Sequence, residues 1–329
     1  MNRVTRRILT ADRGDAGRRL DLVLRRHLQD VPSATRTRVQ AWIEAGQVSV
    51  NGTPIRRVAS RAALGDIVSV TLPEIPARRK MAAESAALDI LFEDDHLLAL
   101  NKPPGIVVHP TYKHADGTIL NALLWHARQW PEGQRPSIVG RLDKLTSGIV
   151  LVAKSPAAHA ALQRAMASSR AEKDYLAVVY GRVNVARGNI SAPLEVDADR
   201  RRMVVSAKGA ESLTRFERLA RVAAPRAGLS VLRCRLVTGR RHQIRVHLAS
   251  RGWPIVGDPT YGEPRWSEVT DVTLAATLRA FPRQALHAWR LTLTHPMTGQ
   301  PLSIQAPVPD DIRALLAAIG LSDLARCPR

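Results

Sequence analysis

Leu20, Val23, Leu24 and Leu28 recur at the three- and four-residue spacing of one helical face, while Arg18, Arg19, Arg25 and Arg26 fill much of the remaining circumference. A second helix follows in "TRTRVQAWIEAG", where Val39, Trp42 and Ile43 turn inward and Gly46 supplies the stop. The period then drops to two. "QVSVNG" and "DIVSVTLP" alternate as the short strands of a hairpin around an Asn-Gly turn, and Pro73 ends the second. Residues 17–73 therefore read as a small compact unit, preceded by an extension over 1–16 and followed by a charged, proline-bearing linker over 74–86.

From residue 87 the pattern is longer and mixed. "HLLALNKPPGIVVHP" predicts two apolar strands broken by a Pro-Pro-Gly turn, "GTILNALLWHAR" a helix, and "GIVLVAKS" a buried strand. "SPAAHAALQRAMA" opens with a Ser cap and Pro at the first helical position. "EKDYLAVVYGRV" and "GLSVLRCRLVTG" return to strand character, which ends at Gly239, and a short helix runs from His242 to a stop at Gly252. Ile312, Leu315, Leu316 and Ile319 mark a closing helix, so the second domain spans 87–307 and a helix and tail occupy 308–329. No repeat is present, and the alternation of strands and helices does not force a doubly wound sheet.

Charge changes the picture more than length does. The chain has 329 residues, enough for two domains, and carries 49 Lys and Arg against 29 Asp and Glu, a formal +20. That surplus favours a polyanionic partner. Residues 1–80 alone hold sixteen Lys and Arg against seven acids. Two short basic helices and a hairpin are too little for an enzyme and enough for a binding module. Arg18, Arg36, Arg38, Arg56 and Arg57 are its candidate phosphate contacts, the alternative being a solvated basic face. The start of the chain has no apolar targeting core, and no stretch approaches a membrane span, so a cytoplasmic protein is expected. Cys234 and Cys327 have no metal-ligand spacing and suggest neither a zinc site nor a disulfide framework.

Three places carry candidate chemistry. Asp143 stands between Arg141 and Lys144, before a turn containing Gly148 and the apolar run Ile149 to Val152. An acid beside an apolar core is costly unless paired, so Asp143 is either a site residue or a turn cap bridged to Arg141. Tyr175 sits at the polar entrance of its strand beside Lys173 and Asp174, where its ring lines a cleft or fills core. Arg240, Arg241, His242, Arg245 and His247 place five basic side chains within eight positions. The two histidines lack zinc-peptidase spacing, no nucleotide-binding fingerprint is present, and a phosphate-rich ligand suits the arginines better.

"NKPPGIVVHP", "GRLDKLTSGIVLVAK", "EKDYLAVVYG", "GRRHQIRVHL", "IVGDPTYG" and "LHAWRLTLTHP" occur in the order found in the RluA-type pseudouridine synthases, which this chain resembles over about residues 17–307. Its first unit resembles the S4 RNA-binding domain that precedes the catalytic body in the bacterial large-subunit ribosomal RNA branch. The resemblance implies an α+β protein in which the S4-like unit is followed by a body built on a long, bent, mostly antiparallel sheet. It implies a cofactor-free, metal-free enzyme that converts uridine in RNA to pseudouridine, most plainly in large-subunit (23S) ribosomal RNA. No sequence feature demands oligomerisation, and a monomer is expected. A transfer-RNA synthase and a non-catalytic RNA-binding or ribosome-assembly factor are the alternatives, with an RNA glycosidase or nuclease behind them.

By the same resemblance Asp143 matches the catalytic aspartate, Tyr175 the tyrosine that packs on the target base, and Arg245 the basic partner of the carboxylate. Arg141 matches the arginine that helps displace the target nucleotide. Lys144, Arg240 and His242 are expected to face RNA, and Ile149 and Leu151 to wall the pocket. Many members of this branch have histidine before the displacing arginine; this chain has Gly140.

Overall fold

The computed structural model describes residues 5–31, 34–72, 81–111, 114–168, 171–199, 202–222, 228–262 and 265–325. The chain divides into two compact units, residues 1–80 and 81–329. In the first, β1 (Thr5–Thr10), α1 (Leu20–His27), α2 (Arg36–Glu44), β2 (Val48–Val50), β3 (Thr53–Ile55) and β4 (Ile67–Leu72) follow in order. Leu20, Leu24, Val39, Trp42 and Ile43 bury against Val48, Val68 and Val70, so the two helical stripes close on the face of the sheet.

Two strand expectations change. β2 pairs with β4, Val48 opposite Val70, but the Asn51-Gly52 turn, with φ of 50° and 84°, feeds β3 instead. β3 contains Pro54, whose missing N–H suits the outer edge that β3 occupies. The region expected as an extension supplies the opposite edge: Thr5–Thr10 pair along the whole of β4, in the order β1-β4-β2-β3. Ile8 is 65% exposed there and Leu9 only partly buried, too weak an alternation for a strand to be read from sequence. Pro73, linker residues 74–80 and Cys327 lie outside the described residues, and 81–86 form neither helix nor strand.

The second unit begins with β5 (Ile90–Glu93), β6 (Leu97–Lys102), α3 (Ile119–His126), β7 (Ser137–Val139), β8 (Ser147–Ala153) and α4 (Pro156–Ala167). It continues with β9 (Glu172–Tyr180), β10 (Arg187–Ser191), β11 (Leu194–Val196), β12 (Met203–Val205), β13 (Leu213–Val222) and β14 (Leu229–Leu236). Last come α5 (Gln243–Ser250), α6 (Val272–Ala280), β15 (Leu286–Thr294), β16 (Pro301–Gln305) and α7 (Asp310–Ala318). Ten strands form one sheet in the order β10-β13-β14-β9-β15-β8-β6-β5, with β16 on β15 and β7 on β8. Among the described residues only β8 and β15 run parallel, so the fold is α+β on a mixed, mostly antiparallel sheet. No helix among the described residues is long and apolar enough to cross a membrane.

β8 is buried along its whole length because helices or strands cover both faces. Val150 and Val152 join the main core with Leu98, Leu123 and Trp289, whereas Ile149 and Leu151 pack with Leu162 of α4 and Ile304 of β16. Each such aliphatic side chain contributes roughly 1.5–3 kcal/mol on burial. Where β8 meets β15, Gly148 has φ of 108°, and a Cβ there would lie 2.1 Å from the carbonyl oxygen of Ala288. Glycine is thus required inside the strand rather than in the turn before it. The second apolar run of "NKPPGIVVHP" is not a strand. The carbonyls of Val107 and Val108 accept the first N–H groups of α3, from Ile119 at 3.0 Å and Leu120 at 3.2 Å, which occupies its backbone as a helix cap.

Candidate active site

Asp143 lies in the turn that enters β8, where its carbonyl accepts the Thr146 N–H at 3.1 Å. The turn is pinned from several sides. The buried Lys102 ammonium donates to the carbonyls of Pro103, Ile106 and Lys144 at 2.7, 3.1 and 3.0 Å. Burial, then the charge of Arg283, pushes Lys102 down to about 7, with Asp143 opposing. Arg283 forks onto Asp311 at 2.6 and 2.8 Å and donates to the Leu145 carbonyl at 3.2 Å, and the Gln284 amide donates to Thr146 Oγ1 at 3.0 Å. These bonds hold the turn from three sides, and a fixed turn is what places a carboxylate reproducibly.

The carboxylate itself meets Arg245. Its Nη1 donates to Asp143 Oδ2 at 2.8 Å, while Nε and Nη2 fork onto Asp258 at 2.6 and 2.7 Å. Arg245 is 4% exposed and Asp258 6%. Burial works against the charge of Arg245, but the hydrogen bonds and charge of Asp258, then of Asp143, outweigh it and raise its pKa. Burial likewise opposes ionisation of Asp258, and the Arg245 fork with the Tyr261 and Thr260 N–H groups brings its pKa below the ordinary carboxylate value. Arg245 is projected by α5, Asp258 by the "GDPTYG" turn, so a long-range ion network fixes the Asp143 head group from below.

A cavity of about 440 Å³ opens over this network, the size of a nucleotide-scale pocket. Tyr175, only 5% exposed, forms one wall, and Leu142, Leu236, Ile244 and Leu286 supply apolar surface. Burial, and secondarily the Asp143 charge, raises the phenol pKa, so Tyr175 offers a neutral flat face. Lys173, two residues earlier on β9, holds its ammonium 5.5 Å from the Tyr175 ring centre, and burial pushes it down to about 8. His242 also lines the cavity, with Nε2 3.8 Å from Asp143 Oδ1 and Nδ1 2.8 Å from the Tyr261 hydroxyl. A second concavity of about 350 Å³, lined by Arg141, Lys144 and Arg241, shares Asp143, His242 and Arg245 with the first.

Asp143, Tyr175, Arg245, Arg141, Arg240 and His242 thus meet around one opening although they are up to 104 positions apart in sequence (245 − 141). Lys144 faces the second concavity, its Nζ 3.4 Å from His114 Nε2. The turn-cap and Arg141-bridge reading of Asp143 gives way to the Arg245 pair. Ile149 and Leu151 are a correction: they line neither cavity, because β8 is covered on both faces and these two side chains point toward α4 and β16. His247 of the basic cluster is turned inward, against Thr214 Oγ1 at 2.9 Å and the Ala192 carbonyl at 2.9 Å. Gly140 has φ of 81° with open space around it, so the left-handed backbone, not crowding, is what a histidine there would contend with. In the first unit Arg18, Arg36, Arg38 and Arg56 are all exposed.

Sequence reasoning left Asp258, Tyr261 and Lys173 without roles. "GDPTYG" was legible as an unexplained acid-aromatic turn, and Lys173 as the same-face neighbour of Tyr175 at period two. Among the described residues, Asp12, Asp15 and His27 in the first unit have metal-ligating spacing, but the Arg26 guanidinium already holds both carboxylates at 2.8 Å.

Residues 96–250 match the family model for RNA pseudouridylate synthase, and residues 18–68 match the S4 domain. The chain is 41% identical to ribosomal large subunit pseudouridine synthase D of Nitrosomonas europaea, over 94% of this chain and 87% of the relative. It is 42% identical to the protein of the same name from Xylella fastidiosa, over 94% and 91%. Among solved structures it is similar to human RNA pseudouridylate synthase domain containing 1, with TM-score 0.54 and 25% identity over 74% of this chain and 98% of that one. Human RNA pseudouridylate synthase domain containing 4 shares the fold, with TM-score 0.55 and 21% identity over 70% and 92%. With a pinned carboxylate, an aromatic wall and relatives matched along nearly its whole length, the chain belongs to the RNA pseudouridylate synthases and is an S4-bearing RNA pseudouridine synthase.

Proposed function

We propose that this enzyme isomerises one or more uridines of large-subunit ribosomal RNA, with Asp143 acting at the target ribose. The observation that carries the reading is the Asp143 carboxylate, gripped by buried Arg245 and opening onto the cavity walled by Tyr175. The names of the relatives in Nitrosomonas europaea and Xylella fastidiosa support the ribosomal substrate.

The target nucleotide first leaves its stack, at a cost of a few kcal/mol that a loop or single strand lowers. Arg141, at the junction of the two concavities, suits the space vacated, and Lys144 and Arg240 suit the flanking phosphates. Asp143 then either attacks C1′ or removes the C2′ proton, and in both routes the C1′–N1 bond breaks with its electron pair leaving on the uracil. The base turns against Tyr175, whose stacking is worth about 1–3 kcal/mol. C5 then bonds to C1′, breaking the Asp143–C1′ bond in the first route, or with the C2′ proton returned from Asp143 in the second; the C5 proton departs and N1 takes up a proton, so the product is an isomer and the carboxylate is regenerated. Tyr175, with its raised pKa, serves as a surface and not as the base.

In this reading residues 17–73 meet RNA phosphates through Arg18, Arg36, Arg38 and Arg56. The enzyme is read as a cytoplasmic monomer without an obligate protein partner. The test is to incubate unmodified large-subunit ribosomal RNA with the intact protein and with Asp143→Asn, then map carbodiimide-blocked reverse-transcription stops. Stops with the intact protein are expected, and the variant should be slower by about 10⁴-fold or more. Tight RNA binding with no stops from either protein would sink the ribosomal reading and turn the search to transfer RNA or to an assembly factor.

A further inference from the structure

His242 is one of only two non-glycine residues with positive φ among the described residues; the other, Asn51, sits in a hairpin turn. At φ 55° and ψ 15° His242 is left-handed at the N-cap of α5, yet its side chain makes no capping hydrogen bond. Such a backbone is unfavourable for a residue with a side chain and points to a constraint beyond helix capping. What the conformation achieves is to aim the imidazole into the cavity beside Asp143.

The ring's protonation pattern follows from its neighbours. Burial lowers the His242 pKa, with Asp143 opposing and Arg245 and Arg241 reinforcing, so the neutral form is favoured. Tyr261 Oη accepts the Met203 N–H at 2.8 Å and lies 2.8 Å from His242 Nδ1; with one N–H already accepted, we assign the phenol as donor to that nitrogen. Burial raises the Tyr261 pKa and keeps that proton in place. The imidazole hydrogen then resides on Nε2, the nitrogen facing Asp143. The reverse tautomer would turn a lone pair toward the carboxylate, like against like.

This leaves an N–H donor and a carboxylate acceptor facing one cavity 3.8 Å apart, too far for a direct hydrogen bond. A hydroxyl fits between them, because it accepts from one and donates to the other. A ring oxygen cannot donate, and an N–H cannot accept. The hydroxyl adjacent to the carbon on which Asp143 acts is the ribose 2′-OH, the group that distinguishes RNA from DNA.

We propose that His242 reads the 2′-hydroxyl of the target ribose, holding it against Asp143 and making the enzyme selective for a ribonucleotide at the position it modifies. This rests on the assignment of Asp143 as the group acting at the sugar. His242 is then a specificity-determining residue, and Tyr261 a positioning residue that fixes its tautomer.

The test uses the full chain and a ribosomal RNA fragment around a mapped target uridine, synthesised with either ribose or 2′-deoxyribose at that single nucleotide. Rates of pseudouridine formation at saturating RNA are compared for the intact protein, His242→Ala, His242→Asn and Tyr261→Phe. The intact protein should prefer the ribose fragment by at least about 100-fold. His242→Ala should bring that preference below about tenfold, chiefly by slowing the ribose fragment. Tyr261→Phe should lower it several-fold without touching RNA. His242→Asn, which tolerates the left-handed backbone and still offers an N–H, should retain most of it and guards against loss of fold in the alanine variant. Equal slowing on both fragments, with the preference unchanged in His242→Ala and Tyr261→Phe, overturns the proposal while leaving the synthase reading intact. An intact protein that modifies neither fragment overturns both.

Discussion

Arg18, Arg36, Arg38 and Arg56 stand exposed on the unit over residues 1–80, and none of the four side chains forms an ion pair among the described residues. Arg245 in the second unit is 4% exposed and donates to two carboxylates. The same guanidinium is used in two physical regimes. Exposed cations hold their positions loosely, sense a polyanion through screened fields, and act nearly additively. The buried one is part of a network whose members cannot be removed singly, since each loss strands an opposite charge in a poorly solvated place. Affinity for RNA is thus expected to reside in the first kind and catalytic geometry in the second.

The largest effect should come from cutting the buried network. Arg245→Met leaves Asp258 inside without its fork, and a cost of about 3–5 kcal/mol in urea unfolding is expected. Release of tritium from C5 of labelled uridine in RNA, which reports the proton lost at that carbon, should fall to background. Adding Asp258→Asn removes the stranded charge while keeping an acceptor for the Thr260 and Tyr261 N–H groups, so stability should recover and activity should not. Recovery of activity in the double variant would mean that Arg245 only balances Asp258, and the contrast between the two units would collapse.

Acid should separate the units next. His287 of β15 is fully buried between Ser147 Oγ at 2.9 Å and the Ala306 carbonyl at 3.3 Å, and burial pushes its pKa down to about 4. Between that value and an unfolded pKa near 6.5 the unfolded chain binds the extra proton, so stability falls as pH drops through this window, by about 3 kcal/mol in all. In the first unit burial opposes ionisation of Asp15, but His27 and Arg26 hold its pKa down to about 2. That contribution is complete above about pH 4 and is lost only as pH falls toward 2. Urea unfolding followed by tryptophan fluorescence distinguishes them, because Trp42 is the one tryptophan within residues 1–80 and a Trp42→Phe chain reports the second unit alone. The second unit should weaken between pH 6.5 and 4.5 while the first holds. Parallel weakening of both would remove His287 as the cause.

What could be read from sequence divides along a related line. The helices were legible because their apolar residues recur on one face and their starts and stops are local: Gly46 after α2, Ser155 capping α4 with Pro156 as its first residue, the stripe of Ile312, Leu315 and Leu316 in α7. The strand β1 was not, since an edge strand with Ile8 exposed carries half an alternation. The site followed the same rule. Asp143, Tyr175 and Arg245 could be named because they stand in quotable motifs, but the third partner, Asp258, is joined to them only by the approach of α5 to the "GDPTYG" turn, a contact with no local signature. Period two told which residues of β8 share a face and not which face meets a cavity, so Ile149 and Leu151 were assigned to the wrong neighbours.

The smallest effect on stability should come from the exposed arginines, and it sharpens the contrast most directly. Replacing Arg18, Arg36, Arg38 and Arg56 by Gln removes four charges from exposed positions, where each is worth at most about 1 kcal/mol to folding. If these side chains meet RNA phosphates, each releases close to one counterion on binding, about 0.7–0.9 in the slope of log affinity against log salt. The fourfold variant should therefore bind large-subunit ribosomal RNA more weakly at low salt, with a slope shallower by about 3, while converging on the intact protein as salt rises. At saturating RNA its rate of tritium release should match the intact chain, because the cavity around Asp143 is built entirely from residues of the second unit. An unchanged slope would place the phosphate contacts on other cations, with Arg141, Lys144 and Arg240 at the cavity mouth first among them. An unchanged slope with a slower saturated rate would assign these arginines to orienting the RNA, and the two units could no longer be treated as separable contributors to affinity and to chemistry.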